Sequence, residues 1–125
     1  MAKIDNLQVS AFFNIPEGKL EEVNQKIVEI MKHIREKGTT AIKYDVFINS
    51  DQNECEVREE YKNSEDLIEH MVKFREFLQT KFFNDFPLDH LVLYGNPSQQ
   101  LLEMTKGTDI KFYSFFQGLE EIIEA

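Results

Sequence analysis

Two kinds of hydrophobic spacing run along this chain and divide it into predicted strands and helices. In short segments apolar side chains recur at every second position, which is typical of strands with one buried face. In two longer segments they recur at every third or fourth position, which is typical of amphipathic helices. The predicted strands are 7–15, 39–48, 54–61, 89–94 and 110–116; the predicted long helices are 19–37 and, after a cap at Asn63 or Ser64, the stretch through 82.

Proline, glycine and turn-forming residues mark the ends of these elements. Gly38 ends the first helix as the residue after its last turn. Residues 49–53 are dense in turn formers and predict a hairpin between the second and third strands. Between the last two strands, Pro97 begins a short helix that ends at Gly107. The tail, residues 119–125, could add one more helical turn.

The order of elements predicts the fold class. Strands and long helices follow one another as β-α-β-β-α-β, and a short helix and a last strand come after them. This is the split βαβ, ferredoxin-like arrangement of α+β proteins, with an antiparallel sheet. We expect residues 1–125 to form a single domain, because 125 residues suit one domain and no stretch has the composition of a linker.

The face of the sheet away from the helices carries an unusual number of aromatic residues. Phe12 and Phe47 project from the sides opposite to the main apolar stripes of their strands. The last strand is apolar on both faces, with Ile110, Phe112 and Phe116 on one side and Tyr113 and Phe115 on the other. Such a patch is rare on a monomer and predicts a homodimer with two sheets packed face to face. The alternative is that the C-terminal tail folds over this face.

Composition and net charge indicate which kinds of molecule this protein is expected to bind. The net charge is −9, which opposes binding to nucleic acids and to anionic membranes, so we expect small molecules or protein chains as partners. Cys55 is the only cysteine, which excludes an internal disulfide and a zinc site of the CxxC type. Three scattered histidines predict no dedicated metal site. With no apolar run of ~20 residues and no signal sequence at the start, we expect a cytoplasmic protein.

An acid, a phenol and an imidazole are predicted to meet between the sheet and the second helix. Glu59 and Tyr61 are two residues apart and therefore share one face of the third strand. His70 lies on the helix flank beside Phe74 and Phe77, and so points towards the sheet. Together with Tyr44, these rings would line a pocket for a flat, partly polar ligand. A histidine can give or take a proton near neutral pH there.

Purely structural roles compete with this hypothesis at every position. His70 could be a satisfied structural histidine, Glu59 could cap the following helix or pair with an arginine, and Tyr61 could simply pack. We interpret His33 as a solvated surface histidine and His90 as structural. The charged opposite face of the third strand is either solvated or lines a wet cavity between two sheets.

Several short motifs resemble the antibiotic biosynthesis monooxygenase family. The central one is Glu59-x-Tyr61-Lys62-Asn63-Ser64-Glu65 followed by His70 and Phe74. Further motifs that fit are Pro16-x-Gly18-Lys19, Gly38, Tyr44-Asp45-Val46, the stretch 93–97 and the stretch 115–118. The resemblance implies a dimeric α+β barrel and oxygenation of phenolic polyketides or quinols without metal or flavin. It carries His70, Glu59 and Tyr61 over as site residues. Haem-degrading relatives use a tryptophan, and this chain has none.

The leading hypothesis is a cofactor-independent monooxygenase that acts on a small aromatic, phenol- or quinol-like substrate. In this hypothesis His70 is the general base, Glu59 orients it, and Tyr61 binds a substrate oxygen, while Tyr44, Phe74 and Phe77 contact the ring. One alternative is a non-catalytic, ligand-binding or stress-related homodimer on the same fold. Another is an isomerase or lyase that uses His70 for proton transfer.

Overall fold

The computed structural model describes residues 6–124, and its elements follow the predicted order. The strands are β1 (Leu7–Asn14), β2 (Lys43–Ile48), β3 (Glu54–Tyr61), β4 (Leu88–Tyr94) and β5 (Ile110–Tyr113). The helices are α1 (Leu20–Lys37), α2 (Ser64–Leu78) and α3 (Gln99–Met104), and a π-helical segment, Gln79–Phe83, extends α2. Of the helices within residues 6–124, none is long and apolar enough to cross a membrane.

The five strands form one sheet in the order β2-β3-β1-β4-β5. β1 lies in the centre and pairs antiparallel with β3 and β4, and β2 pairs antiparallel with β3. The α+β, ferredoxin-like prediction is confirmed. The sheet is mixed rather than purely antiparallel, because β5 runs parallel to β4. The reason is the connection through α3, which carries the chain back to the end where β4 began.

Several predicted boundaries differ from the structure, among them those of β2, β5 and the tail. β2 begins at Lys43 rather than at residue 39, and β5 ends at Tyr113 rather than at residue 116. The tail forms no helical turn over residues 119–124, and residue 125 lies outside the described part of the chain. The side-chain amide of Gln117 bonds the backbone N–H and carbonyl of Ile123, so these groups are satisfied without a helix.

The core lies between one face of the sheet and the two long helices, and it consists of two clusters. The first surrounds Phe13, Phe74 and Phe82, and the second surrounds Leu7, Tyr61, Leu67, Leu93 and Leu101. α2 contributes to both clusters. It begins at the predicted cap, where the side chain of Asn63 accepts a hydrogen bond from the backbone N–H of Asp66.

The opposite face of the sheet carries aromatic side chains, and no helix of the described residues covers it. Phe12 stacks on His90, and Tyr94 stacks on Tyr113, whose side chain is 48% exposed. The C-terminal tail does not bury its own apolar residues, since Phe116 is 84% exposed and Leu119 is 93% exposed. Apolar surface therefore remains open to solvent both on this face and along the tail.

Candidate functional site

Glu59 and Tyr61 form a hydrogen-bonded pair at the end of β3. Both side chains point to the helix side of the sheet, where Glu59 lies opposite Val9 of β1 and Tyr44 of β2. Tyr61 is completely buried, and its hydroxyl donates to Oε1 of Glu59 over 2.5 Å. The predicted sharing of one face is confirmed, and the carboxyl and the phenol act as a unit.

His70 faces this pair from α2. Its side chain is 4% exposed, and its ring centroid lies 5.5 Å from that of Tyr61, 5.4 Å from that of Tyr44 and 4.8 Å from that of Phe74. Tyr61 and Phe74 belong to different core clusters, so the imidazole lies where the two clusters meet. The prediction that His70 points towards the sheet is confirmed.

The imidazole is held by a residue that the sequence interpretation missed. Nδ1 of His70 lies 2.6 Å from Oγ1 of Thr39, which follows the glycine that ends α1. That hydroxyl also accepts the backbone N–H of Ala41. We assign the hydroxyl proton to the contact with Nδ1, and this assignment places the ring proton on Nε2. Nε2 is buried and has no hydrogen-bond partner among residues 6–124.

Phe77 and His33 occupy a neighbouring position between the two long helices. Their rings are stacked with centroids 3.7 Å apart, and His33 also meets the edge of Phe74. The interpretation of His33 as a solvated surface residue is wrong, because Phe77 from α2 covers its ring. Among the described ring contacts, Phe77 pairs with His33 rather than with His70. Of the three predicted ring contacts for a ligand, the structure brings Tyr44 and Phe74 to the imidazole.

Burial sets the protonation of this cluster. Removal from water raises the pKa of Glu59 to about 7, although the hydrogen bond from Tyr61 acts in the opposite direction. Burial, with a smaller contribution from the charge of Lys73, lowers the pKa of His70 to about 4. The pKa values of Tyr44 and Tyr61 are raised by burial and by the charge of Glu59. At neutral pH the imidazole and both phenols are therefore uncharged, and Glu59 is divided between its two forms.

An open groove between α1 and β2 lies next to the cluster. Its volume is about 750 Å³, and its lining consists of apolar and charged side chains of both elements together with Thr39 and Tyr44. Tyr44 also borders a small void of about 30 Å³ in the first core cluster. Thr39 and Tyr44 therefore separate the groove from His70. Among residues 6–124, no three His, Cys, Asp or Glu side chains are grouped so that they could hold a metal ion.

Several solved structures share the fold of this chain at low sequence identity. MupZ from Pseudomonas fluorescens is 19% identical, with a TM-score of 0.67 over 91% of this chain and 93% of that chain. A "putative antibiotic biosynthesis monooxygenase" from Nitrosomonas europaea is 16% identical, with a TM-score of 0.60 over 77% of this chain and 94% of that chain. The chain has the fold of these proteins. A third structure, from Deinococcus radiodurans and described in the same words, is 14% identical, with a TM-score of 0.52 over 74% and 93% of the two chains.

These likenesses show the fold, and they confirm the α+β, ferredoxin-like part of the architecture that the sequence motifs implied. No family model matches the chain, and no curated protein matches it. The names of the similar structures describe those proteins alone.

Proposed function

We propose that this protein is a cofactor-independent monooxygenase that acts on a small aromatic, phenol- or quinol-like substrate. The observation that carries the proposal is the buried, unpartnered Nε2 of His70 beside the Glu59–Tyr61 pair. Buried polar atoms in folded proteins are nearly always paired, and an unpaired N–H among aromatic rings would suit a ligand that brings a hydrogen-bond acceptor.

The chemistry requires a base, a hydrogen-bond donor and a dry pocket. Glu59 removes a proton from an acidic C–H of the substrate, and the resulting anion passes one electron to dioxygen. The two radicals combine through a new carbon–oxygen bond to give a peroxide anion, which takes back the proton from Glu59. Loss of water then leaves a carbonyl group, so that one CH₂ group and one O₂ become one C=O group and one H₂O. Oxygen is the only oxidant in this balance.

The pKa values of Glu59 and His70 favour different roles for the two side chains. A carboxyl with a pKa of about 7 is well matched to proton transfer at neutral pH, so we assign the base to Glu59. The sequence interpretation gave that role to His70. A pKa of about 4 makes its imidazole a weak base, whereas Nε2–H can donate to the oxygen on which negative charge develops. Tyr61 fixes the carboxyl, and Tyr44 and Phe74 would contact the substrate ring.

We also propose that the protein is a homodimer formed through the open sheet face, and that it works in the cytoplasm. Exposed Tyr94 and Tyr113 on that face support the dimer. Burial of each such side chain is worth about 1.5–3 kcal/mol, so a few per subunit suffice to hold two copies together. A single, buried, unpaired Cys55 is consistent with a reducing compartment.

A second candidate function is non-catalytic binding of a small molecule. The observation that favours it is the separation of the groove from the imidazole by Thr39 and Tyr44. A ligand could occupy the groove without reaching Glu59 or His70. In that case the cluster would serve only to fix the fold between α2 and the sheet.

Oxygen uptake with a panel of anthrones and dihydroquinones tests the proposal. We expect at least one member to consume oxygen, and expect Glu59→Gln and His70→Ala each to slow the reaction by about a hundredfold or more. Glu65→Gln, which removes an exposed carboxylate from the same protein, should have no effect. Uptake by both site variants at the wild-type rate would refute the proposal. Isomerisation of a panel member without oxygen uptake would favour the isomerase or lyase hypothesis instead.

A further inference from the structure

The groove between α1 and β2 has the size and lining of a ligand site. Its volume of about 750 Å³ falls within the range of pockets that hold small organic molecules. Ile27, Val28 and Met31 of α1 line one wall, and Tyr44 and Val46 of β2 line the other. An aromatic ring between these walls would have apolar contacts on both faces.

Two cations stand beside this apolar lining. Lys32 and Arg35 are three residues apart on α1, so their side chains project from neighbouring positions on the helix. Within residues 6–124, neither forms an ion pair. Among the described residues, Asp45 is the one acidic residue that lines the groove. It alternates with Tyr44 and Val46, so its side chain points towards the opposite face of the sheet. A chain with a net charge of −9 therefore presents two free positive groups at this groove.

We infer that the groove binds a flat apolar molecule that carries a carboxylate. Arg35 and Lys32 hold the anionic group, because a guanidinium matches the two oxygens of a carboxylate. The ring lies against Tyr44 and Val46. The inference rests on the proposed function in one respect: it makes this molecule the substrate, which passes Tyr44 to reach Glu59 and His70.

Two fluorescent probes distinguish binding of the apolar ring from binding of the anionic group. 1-Anilinonaphthalene-8-sulfonate has an apolar ring system and an anionic group, and N-phenyl-1-naphthylamine is the same ring system without the anion. We expect the double variant Lys32→Gln, Arg35→Gln to weaken binding of the sulfonate at least about tenfold. Binding of the neutral probe should change less than about twofold. Val28→Glu, at an exposed position of the groove, should weaken both probes.

The control removes the same amount of charge elsewhere. Lys62→Gln, Arg75→Gln changes two exposed cations that lie outside the groove, so the net charge matches that of the test variant. If this control weakens the sulfonate as much as the groove variant does, the effect is one of overall charge and the inference is overturned. It is also overturned if Val28→Glu leaves both probes bound as in the wild type.

Kinetics distinguish failure of this inference from failure of the proposed function. With a carboxylated and a neutral anthrone, the groove variant should raise KM for the carboxylated substrate alone. Oxygen uptake that depends on Glu59 while both KM values stay unchanged would refute the groove site and keep the proposed function. Selective loss of the sulfonate in a protein that oxidises no panel member would keep the anion site and refute its role as substrate entrance.

Discussion

The hydroxyl of Thr39 lies 2.6 Å from Nδ1 of His70, although the two residues are 31 positions apart in the chain. This contact joins the turn after α1 to the middle of α2 and fixes the imidazole ring in one orientation. It also leaves Nε2 as the free nitrogen of a neutral ring. Thr39 is therefore a positioning residue for the proposed site.

Replacing Thr39 with valine keeps the shape of the side chain and removes its hydrogen bond to His70. We expect about a tenfold loss of kcat/KM on any substrate found in the oxygen panel, because the ring is no longer held. Stability should fall by about 1–3 kcal/mol, since Nδ1 loses its partner. Thr39→Ser should restore activity.

Thr40→Val is the matched control for that variant. The Thr40 hydroxyl donates to the carbonyl of Asp66 over 2.6 Å, so its loss also removes one side-chain hydrogen bond to α2. We expect a comparable loss of stability and unchanged kcat/KM. If both valine variants lose the same amount of activity, Thr39 only stabilises the fold and does not position His70 for the reaction.

Removing the phenol of Tyr61 should shift the pH dependence of the reaction. The hydrogen bond from Tyr61 lowers the pKa of Glu59, so Tyr61→Phe should raise that pKa above its value of about 7. The rising limb of the pH–rate profile should move to higher pH accordingly. The control variant is Tyr44→Phe. It also removes a buried phenol, but in the described contacts that phenol does not donate to Glu59. A profile that stays in place in Tyr61→Phe would show that Glu59 is not the base.

Glu59 should also make folding stability depend on pH. Folding raises its pKa from 4.5 to about 7, so the folded state binds the proton more tightly than the unfolded state. This contribution favours the folded state below pH 4.5 and is lost as the pH rises to 7. At its full size, this contribution of Glu59 to the free energy of unfolding is about 3 kcal/mol. His70 has the opposite dependence, because its pKa is lowered from 6.5 to about 4.

Glu59→Gln isolates this dependence, since His70 is present in both proteins. The stability of the variant relative to the wild type should rise by about 3 kcal/mol between pH 4 and pH 8, measured by denaturant unfolding. Glu65→Gln serves as the control for loss of a carboxylate on an exposed surface. A constant difference between Glu59→Gln and the wild type across this range would mean that the carboxyl is not desolvated.

The sequence predicted those parts of the molecule that depend on local spacing. The alternation around Glu59 and Tyr61 placed both on the buried face, and the spacing of α2 turned His70 inwards. The contact of Thr39 with His70 could not be found in this way, because it depends on how the chain leaves Gly38, whose φ angle is +83°. The helical pattern of α1 likewise gave no information about Phe77, the residue from α2 that covers His33.

The mass of the protein in solution tests the proposed dimer. We expect sedimentation to give about twice the chain mass of 14.8 kDa, because two sheets that pack together remove exposed aromatics from water. Tyr113→Arg places a charge on the open face and should shift the equilibrium to monomer. Val72→Arg makes the same kind of change at a 55% exposed position of α2 and should leave the dimer intact. A wild type that sediments as a monomer at high concentration would refute this interface.

The protonation of His70 tests the central claim most directly. In protein labelled with ¹⁵N-histidine, the signals of His70 can be assigned by their loss in His70→Gln and followed by NMR from pH 3 to pH 8. We expect a midpoint at about 4 and, above it, a neutral ring with its proton on Nε2. A midpoint at or above the ordinary 6.5, or a ring proton on Nδ1, would contradict a buried imidazole that offers a free Nε2–H to a ligand.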